Sequence, residues 1–317
     1  MIMTLEKRKI LVASVLLVIA VILPIFFRDS RYYMNIFNLA GIFIILTYSL
    51  NFTHGFLGLI SIGHAGFFAV GAYLLAGMTM GFGFNFFPAL FLAGIGAAIV
   101  GVLLGFPAIR MVGHYFVLIT LGFGEIVRLI ILNWKEVTGG ANGVIDIPVP
   151  TLGPWTFDTR FSYYYLVLFC ILLCMVVTSR LRHSKYGRSM LALKVGELAA
   201  TVMGVNPKSN KLINFGLSGF FAGLAGGLYA SYMKTISPEV FHVMLSVDIL
   251  TMCLVGGSGT IAGPVVGATF LVFLKEWLRF IREYYMIIYG AGIVLVMIFM
   301  PYGLVGLAKR IWARYQS

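Results

Sequence analysis

The sequence is poor in charge. Asp, Glu, Lys and Arg make up 11% of its 317 residues, less than half of the about 25% usual in water-soluble domains, and the mean hydropathy is +0.98. A soluble globule of this length needs a charged coat, which the composition does not supply. Lipid removes that need, but every backbone polar group must then be satisfied inside a helix or a closed barrel. The apolar runs exceed the roughly ten alternating residues of a barrel strand, so the expected fold is an all-α transmembrane bundle. Cysteine is scarce too. There are three, and Cys170 and Cys174 lie one helical turn apart in an apolar run without metal-type spacing, which excludes a disulfide framework and a cysteine metal site. Also absent are a Gly-x4-Gly-Lys-Ser/Thr phosphate loop, a His-Glu-x2-His pair and a nucleophile elbow, so neither ATP hydrolysis, metal chemistry nor covalent catalysis is placed within this chain.

Charge of one sign is what remains. The formal net charge is +12, but the cations lie between and beside apolar runs instead of alternating with aromatics on a polar face. That pattern speaks against nucleic acid and for orientation of a membrane protein, whose cytoplasmic loops collect Lys and Arg. Glu6-Lys7-Arg8-Lys9 followed by an uncharged run at 11–27 is read as a retained first helix, since no small-residue cleavage site follows.

No Asp, Glu, Lys or Arg occurs from Tyr32 to Ile109, long enough for three crossings at about 36–53, 56–77 and 86–109 given about 20 residues for each. A fifth is expected at 115–133, followed by a Gly-, Pro- and Asp-rich connection as far as Arg160. Uncharged runs at 161–179 and 212–233 supply the sixth and seventh. The run 249–274 is broken by Gly256, Gly257, Gly259, Gly263, Pro264 and Gly267 and is read as two half-helices returning to their starting side. A last crossing at 284–300 ends at Pro301. The total is about eight or nine spans in one transmembrane domain, 1–317. The glycine-dense stretches Gly58–Gly71 and Gly256–Gly267 are candidate halves of an internal repeat.

Residues 180–211 carry Arg180, Arg182, Lys185, Arg188, Lys194, Lys208 and Lys211 against Glu197 alone, so this loop is expected on the cytoplasmic side, with both termini. Within it, Glu197-x-Ala199-Ala200-x3-Gly204 favours a short helix ending at Gly204. Such a helix fits either a surface position or a groove on another protein. Glu125 and Arg128 are one turn apart in the fifth crossing and can neutralise each other, either as a structural pair or facing the two charges of a zwitterionic solute. Ser61, Gly63 and His64 combine small residues with a polar side chain; tight helix packing and solute contact both remain open. Thr138-Gly139-Gly140-Ala141-Asn142-Gly143 reads as a sharp turn, with Thr138 and Asn142 as candidates for the external mouth.

These residues resemble the permeases of ATP-binding-cassette importers for branched-chain amino acids, specifically the second of the two paired permease subunits. The resemblance rests on Leu57-Gly58-Leu59-Ile60-Ser61-Ile62-Gly63-His64-Ala65-Gly66, on Thr120-Leu121-Gly122-Phe123-Gly124-Glu125-Ile126-Val127-Arg128, and on Thr138–Gly143. Leu181-Arg182-x-Ser184-x2-Gly187-Arg188, Glu197–Val205, Ile236-Ser237-Pro238 and Gly256-Gly257-x-Gly259-Thr260-x2-Gly263-Pro264 continue it in family order. The resemblance implies a complex of two related permeases, two cytoplasmic ATPases carrying ATP and magnesium, and an external solute-binding protein, in a bacterial cytoplasmic membrane. It implies further that Glu197, Ala199, Ala200 and Gly204 belong to a loop docking on an ATPase. Ser61, Gly63, His64, Thr120, Gly122, Glu125, Arg128, Gly256, Gly257 and Gly259 are implied along the substrate pathway. Gly196 stands where many relatives carry Asn or Asp. Relatives in this family also carry urea or short amides. A stand-alone secondary transporter with Glu125 as an ion site is the rival of a different class, and an intramembrane enzyme lacks a convergent acid, base and nucleophile.

Overall fold

The computed structural model describes residues 15, 17–111, 113–279, 290, 291, 294 and 303–314. Six of its helical segments are long and apolar enough to cross a membrane. A short apolar helix, α1 (Leu17–Phe26), represents the expected first crossing. The expected crossing at 284–300 lies outside the described residues except at 290, 291 and 294.

Helix α2 (Arg31–Leu50) continues as a π-helical turn, Asn51–Phe56. The chain then leaves helical geometry, with Gly58 at φ +74°, and α3 (His64–Gly81) begins only at His64. This corrects the expected third crossing at 56–77: an apolar run gives no sign that Gly58–Gly63 is non-helical. Next come α4 (Phe86–Ala108) and α5 (His114–Asn133). The connection that follows is not plain loop. It holds α6 (Lys135–Thr138), a 3₁₀ turn Gly140–Asn142, and the two-residue strands β1 (Val144–Ile145), β2 (Thr151–Leu152) and β3 (Trp155–Thr156). β2 pairs with β3, and β1 pairs antiparallel with β4 (Thr235–Ile236). The fold is therefore all-α apart from two small ribbons.

Helix α7 (Arg160–His183) runs past the expected end at Ser179, because Arg180, Arg182 and His183 occupy its last turn, where the carbonyl end of the helix dipole favours cations. α8 (Lys185–Val195) and α9 (Glu197–Val202) follow. α10 (Pro207–Met233) starts five residues before the expected 212, since the Asn206 side chain accepts from the Ser209 N–H at 3.2 Å and Pro207 takes the first helical position. The broken run resolves into α11 (Val243–Gly256) and α12 (Gly263–Leu278), which pack on each other. α13 (Gly303–Arg314) is the last described helix.

Glycine sets the packing around α10. A Cβ on Gly226 would collide with the Phe68 carbonyl oxygen of α3, and one on Gly219 with the Ala97 carbonyl oxygen of α4. Backbones thus touch on both sides of one helix, as small residues permit in lipid, where apolar side chains gain little by leaving hydrocarbon for protein. His64 against Ser218 and Leu75 against Gly227 make α3 parallel to α10, and Leu90 against Gly227, Ala97 against Gly219 and Gly101 against Phe215 make α4 antiparallel to it. On the other flank, α2 and α12 run antiparallel, since Tyr32 bonds Glu276, the Phe37 and Phe273 rings meet at 5.8 Å, and Tyr48 bonds the Ile261 carbonyl. The π turn, the end of α7, α8, α9 and the α11–α12 turn consequently gather at one end of the bundle, here the basic end.

Gly226→Ala is expected to lower the stability of the detergent-purified chain by about 1–3 kcal/mol through overpacking, whereas Gly77→Ala, which meets nothing within 4 Å, changes it by under about 0.5 kcal/mol. Thermal unfolding of both variants checks this; equal midpoints would show that the α3–α10 contact is looser than described.

Candidate functional site

The non-helical segment Gly58–Gly63 is where the sequence motif meets the core. Ser61, His64, Ser49, Thr53, Asn214 and Ser218 are all fully buried. The Ser218 hydroxyl donates to the Ser49 carbonyl at 2.6 Å, so towards His64 it accepts. Nε2 of His64 therefore carries the proton and donates to Ser218 at 2.8 Å, and Nδ1 accepts from the Ser61 hydroxyl at 3.1 Å. Both ring nitrogens are engaged, the arrangement of an interior donor. His64 also stands level with Ser49, above the end of α2 at Phe56, so the segment doubles back beside the helix it came from. The free amide of Ala65, in the first turn of α3, is met by the Ser246 hydroxyl of α11 at 2.9 Å.

Thr120 of α5 holds the same segment from outside. Its hydroxyl accepts from the Ile62 N–H at 3.1 Å and donates to Val117 at 3.0 Å, and a Cβ on Gly63 would strike the Thr120 carbonyl. The rest of α5 is open. Only 22% of its span is buried, against 83% for the span of α2. A Cβ on Gly122 would meet nothing within 4 Å, and Tyr115, Leu118, Ile126, Leu129 and Ile130 are exposed. On this helix Arg128 donates through Nε and a terminal nitrogen to the Glu125 carboxylate, the side chains being 24% and 35% exposed. The pair is self-neutralised, yet unlike the serine and histidine cluster it is not enclosed.

Gly256 ends α11, and Gly257 and Gly259 lie in the turn between α11 and α12. Gly257 and Gly259 take φ +113° and +75°, conformations that glycine adopts without a Cβ clash. This turn abuts the π turn of α2: a Cβ on Gly55 would lie 2.6 Å from the Gly259 nitrogen. At the opposite end, Thr138 is buried and its hydroxyl donates to the Ile131 and Trp134 carbonyls at 2.5 and 2.7 Å, closing the turn after α5. Asn142 is exposed.

At the basic end α8 and α9 make an elbow at Gly196. That residue caps α9 with no side-chain bond, where an Asn or Asp would supply one. α9 closes on Gly204, at φ +86°, with Gly204 N–H donating to Thr201 and Val205 N–H to Ala200. Ala200 packs inward and Ala199 outward, while Glu197 accepts from the buried Lys211 ammonium of α10 at 2.8 Å. The elbow's outer surface is apolar: Val195, Leu198, Val202 and Met203 are each more than 80% exposed. Reading the composition as small-alanine faces missed these four. The available signal was the i, i+4 spacing of Leu198 and Val202, two positions that share a face of α9.

A bundle of apolar spans, broken by glycine turns and carrying a basic elbow at one end, defines a polytopic membrane transport subunit. Residues 32–297 match the family described as branched-chain amino acid transport system, permease component, and the chain belongs to this family of ATP-binding-cassette permeases. It is 39% identical to the high-affinity branched-chain amino acid transport system permease protein LivM of Escherichia coli (strain K12), over 96% of this chain and 76% of that one. It is also 24% identical to the permease protein LivH of Salmonella typhimurium, over 85% and 92% of the two chains. Identity to the ribose import permease protein RbsC of Haemophilus influenzae is 27%, over 50% and 46%. No solved structure matches.

Ser218→Ala removes the acceptor for His64 Nε2 in a dry site and is expected to cost about 1–3 kcal/mol. Thermal unfolding should show it against exposed Ser209→Ala as control, and an unshifted midpoint would mean that water reaches His64.

Proposed function

We propose that the chain is one of two paired permeases of an importer for branched-chain or similar small neutral amino acids, worked by two cytoplasmic ATPases and fed by an external solute-binding protein. The observation that carries this reading is the α8–α9 elbow. Four exposed apolar side chains, Val195, Leu198, Val202 and Met203, stand together in a loop otherwise rich in cations, and an apolar patch rimmed by charge marks a protein contact. The ATPase is its occupant in this reading: Glu197, Ala199, Ala200 and Gly204 shape the elbow, and ATP and magnesium act on the partner subunits. The names of the similar permeases LivM and LivH support the solute class and the pairing.

Orientation follows from charge. Arg110 and the seven cations of 180–211 lie at the basic end with Glu197, whereas Asp29, Glu136, Asp146, Asp158, Glu239 and Glu276 lie in or beside the connections at the other end. The basic end is therefore assigned to the cytoplasm of a bacterial inner membrane, with both termini. Arg28, Arg31, Lys135, Arg160, Lys234, Lys275 and Arg279 are exceptions to the charge rule at the other end; Lys234 pairs with Asp158 at 2.9 Å, Lys275 with Asp248 at 2.5 Å and Arg279 with Glu276 at 3.3 Å, which softens their effect, and Arg282 lies outside the described residues. Eight or nine crossings are proposed, with the glycine-dense stretches Gly58–Gly71 and Gly256–Gly267 belonging to the two halves of an internal repeat. Thr138 and Asn142 then shape the external mouth. The open face of α5 with Gly122, Glu125 and Arg128 borders the pathway, because a charged pair facing lipid at mid-span is costly. Ser61, Gly63, His64, Thr120 and the glycines Gly256, Gly257 and Gly259 set the backbone around it.

Reconstitution of the whole complex in liposomes tests the reading: ATP-dependent uptake of Leu, Ile and Val is expected, with urea and small amides as competitors that define the solute range. Leu198→Asp should leave the chain inserted but reduce its co-purification with the ATPase about tenfold, equivalent to roughly 1.4 kcal/mol. Solute flux driven by an ion gradient through the chain alone would overturn the proposal in favour of a secondary transporter.

A further inference from the structure

Two cations leave the elbow region for the bundle and end on main-chain carbonyls. Lys194, at the end of α8, donates through Nζ to the Gly55 carbonyl at 2.9 Å. Arg182, at the end of α7, donates to the Gly259 carbonyl at 2.8 Å. Gly55 lies in the π turn of α2, and Gly259 in the turn between α11 and α12. Neither cation is paired with a carboxylate in these bonds; each spends a charge-assisted donor on a neutral acceptor, an arrangement stronger than a neutral hydrogen bond and directional along the chain it grips.

The two gripped turns are themselves fastened together. The Asn51 side chain accepts from the Gly259 N–H at 2.7 Å and donates to the Thr260 carbonyl at 3.1 Å. Tyr48 donates to the Ile261 carbonyl at 2.6 Å, and Asn214 of α10 donates to the Phe52 carbonyl at 2.7 Å. The π geometry matters because its wider turn breaks the regular bonding ladder, as such turns do at functional sites. The glycines opposite carry no side chain to hold their own position. A pull on either carbonyl thus bears on the two places where the transmembrane backbone is least regular.

We propose that Lys194 and Arg182 are the positioning residues that carry displacement of the α8–α9 elbow into the bundle: Lys194 to the π turn that leads into the Gly58–Gly63 segment, and Arg182 to the turn that starts α12. This rests on the reading of the elbow as the ATPase contact and adds the route by which its movement enters the membrane. Glu197 has a different part, tying the elbow to α10 through Lys211. Removing one cation leaves the elbow and its apolar patch in place and disconnects one turn.

The test uses the assembled complex. Lys194→Met and Arg182→Met are expected to keep binding the ATPases and to hydrolyse ATP, while solute moved per ATP falls about tenfold; Lys194→Arg, which keeps the charge and a donor, should retain most coupling. Hydrogen exchange measured with and without a non-hydrolysable ATP analogue separates the causes. In the unsubstituted complex, nucleotide should alter exchange across 197–204, 51–63 and 257–262. Lys194→Met should keep the first response and lose the second, and Arg182→Met should lose the third. Unchanged responses in both turns, or an unchanged transport ratio, would overturn the proposal. Absence of any response at 197–204 in the unsubstituted complex would instead overturn the elbow reading on which it stands. Should Lys194→Met not assemble, Lys194→Gln, too short to reach Gly55, must show the same lost response.

Discussion

Backbone that is not helical inside hydrocarbon has to find its hydrogen-bond partners in protein, since lipid supplies none and each unmet group costs several kcal/mol. The course of this chain around Gly58–Gly63 follows from that constraint. The amides of Gly58 and Leu59 turn back to the His54 and Thr53 carbonyls, reaching through the widened π geometry. Ile62 is met by Thr120 of α5, Gly63 by Ser61, and Ala65 by Ser246 of α11. These donors draw on α2, α5 and α11 as well as on the segment itself, and the His64 side chain adds Ser218 of α10, so the break joins α2, α3, α5, α10 and α11. His64 completes the set by filling the space between Ser61 and Ser218 with a neutral ring whose two nitrogens match one donor and one acceptor.

Two kinds of contact divide the bundle. Around α10 the contacts are between backbones, made possible by Gly219, Gly223 and Gly226 at a helical cost of about 1 kcal/mol for each glycine relative to alanine. Such contacts have no slack, because neither side has an atom to move aside. Between α2 and the α11–α12 turn one backbone approach, Gly55 to Gly259, is accompanied by side-chain bonds from Asn51 and Tyr48 to carbonyls and amides of glycine-rich backbone. A hydrogen-bonded latch can open and re-form on a helical displacement that a glycine seam resists.

Much of this was readable from residues, and the failures have identifiable reasons. Crossings were legible because charge vanishes between Tyr32 and Ile109 and returns at the bundle ends. The paired half-helices were legible because Gly256 to Gly267 are too dense in glycine for one rod. The Glu125 and Arg128 pair followed from spacing alone. By contrast, Gly58–Gly63 looks like continuous apolar helix, and only its partners on α5, α10 and α11, distant in sequence, reveal that it is not helical. The starts and ends of α7 and α10 shifted because Asn206, Pro207 and the terminal cations act within single turns, below the resolution of a hydropathy window. The apolar patch on the elbow was hidden by the basic composition around it, and the grips of Lys194 and Arg182 on carbonyls carry no sequence signature, as a carbonyl is present at every residue.

What the bundle leaves open is as consistent as what it closes. α5 is held on one side through Thr120, Phe123 and Gly124 against the Gly63–Phe67 region, and shows the other side, with its charged pair, to whatever lies beyond. A span meant only for lipid has no use for a carboxylate and a guanidinium near its middle, and a span meant for the core would bury them as the serines and His64 are buried. The elbow presents the corresponding asymmetry at the basic end: its inner residues, Ala200, Leu193 and Met190, belong to the core, while its outer apolar residues have no cover. Two uncovered faces of different chemistry, one charged at mid-span and one apolar at the water boundary, call for two different neighbours. The break at Gly58–Gly63 lies between the elements that carry them: it meets the held side of α5 through Thr120, and Gly58 lies against the Lys194 stem of α8.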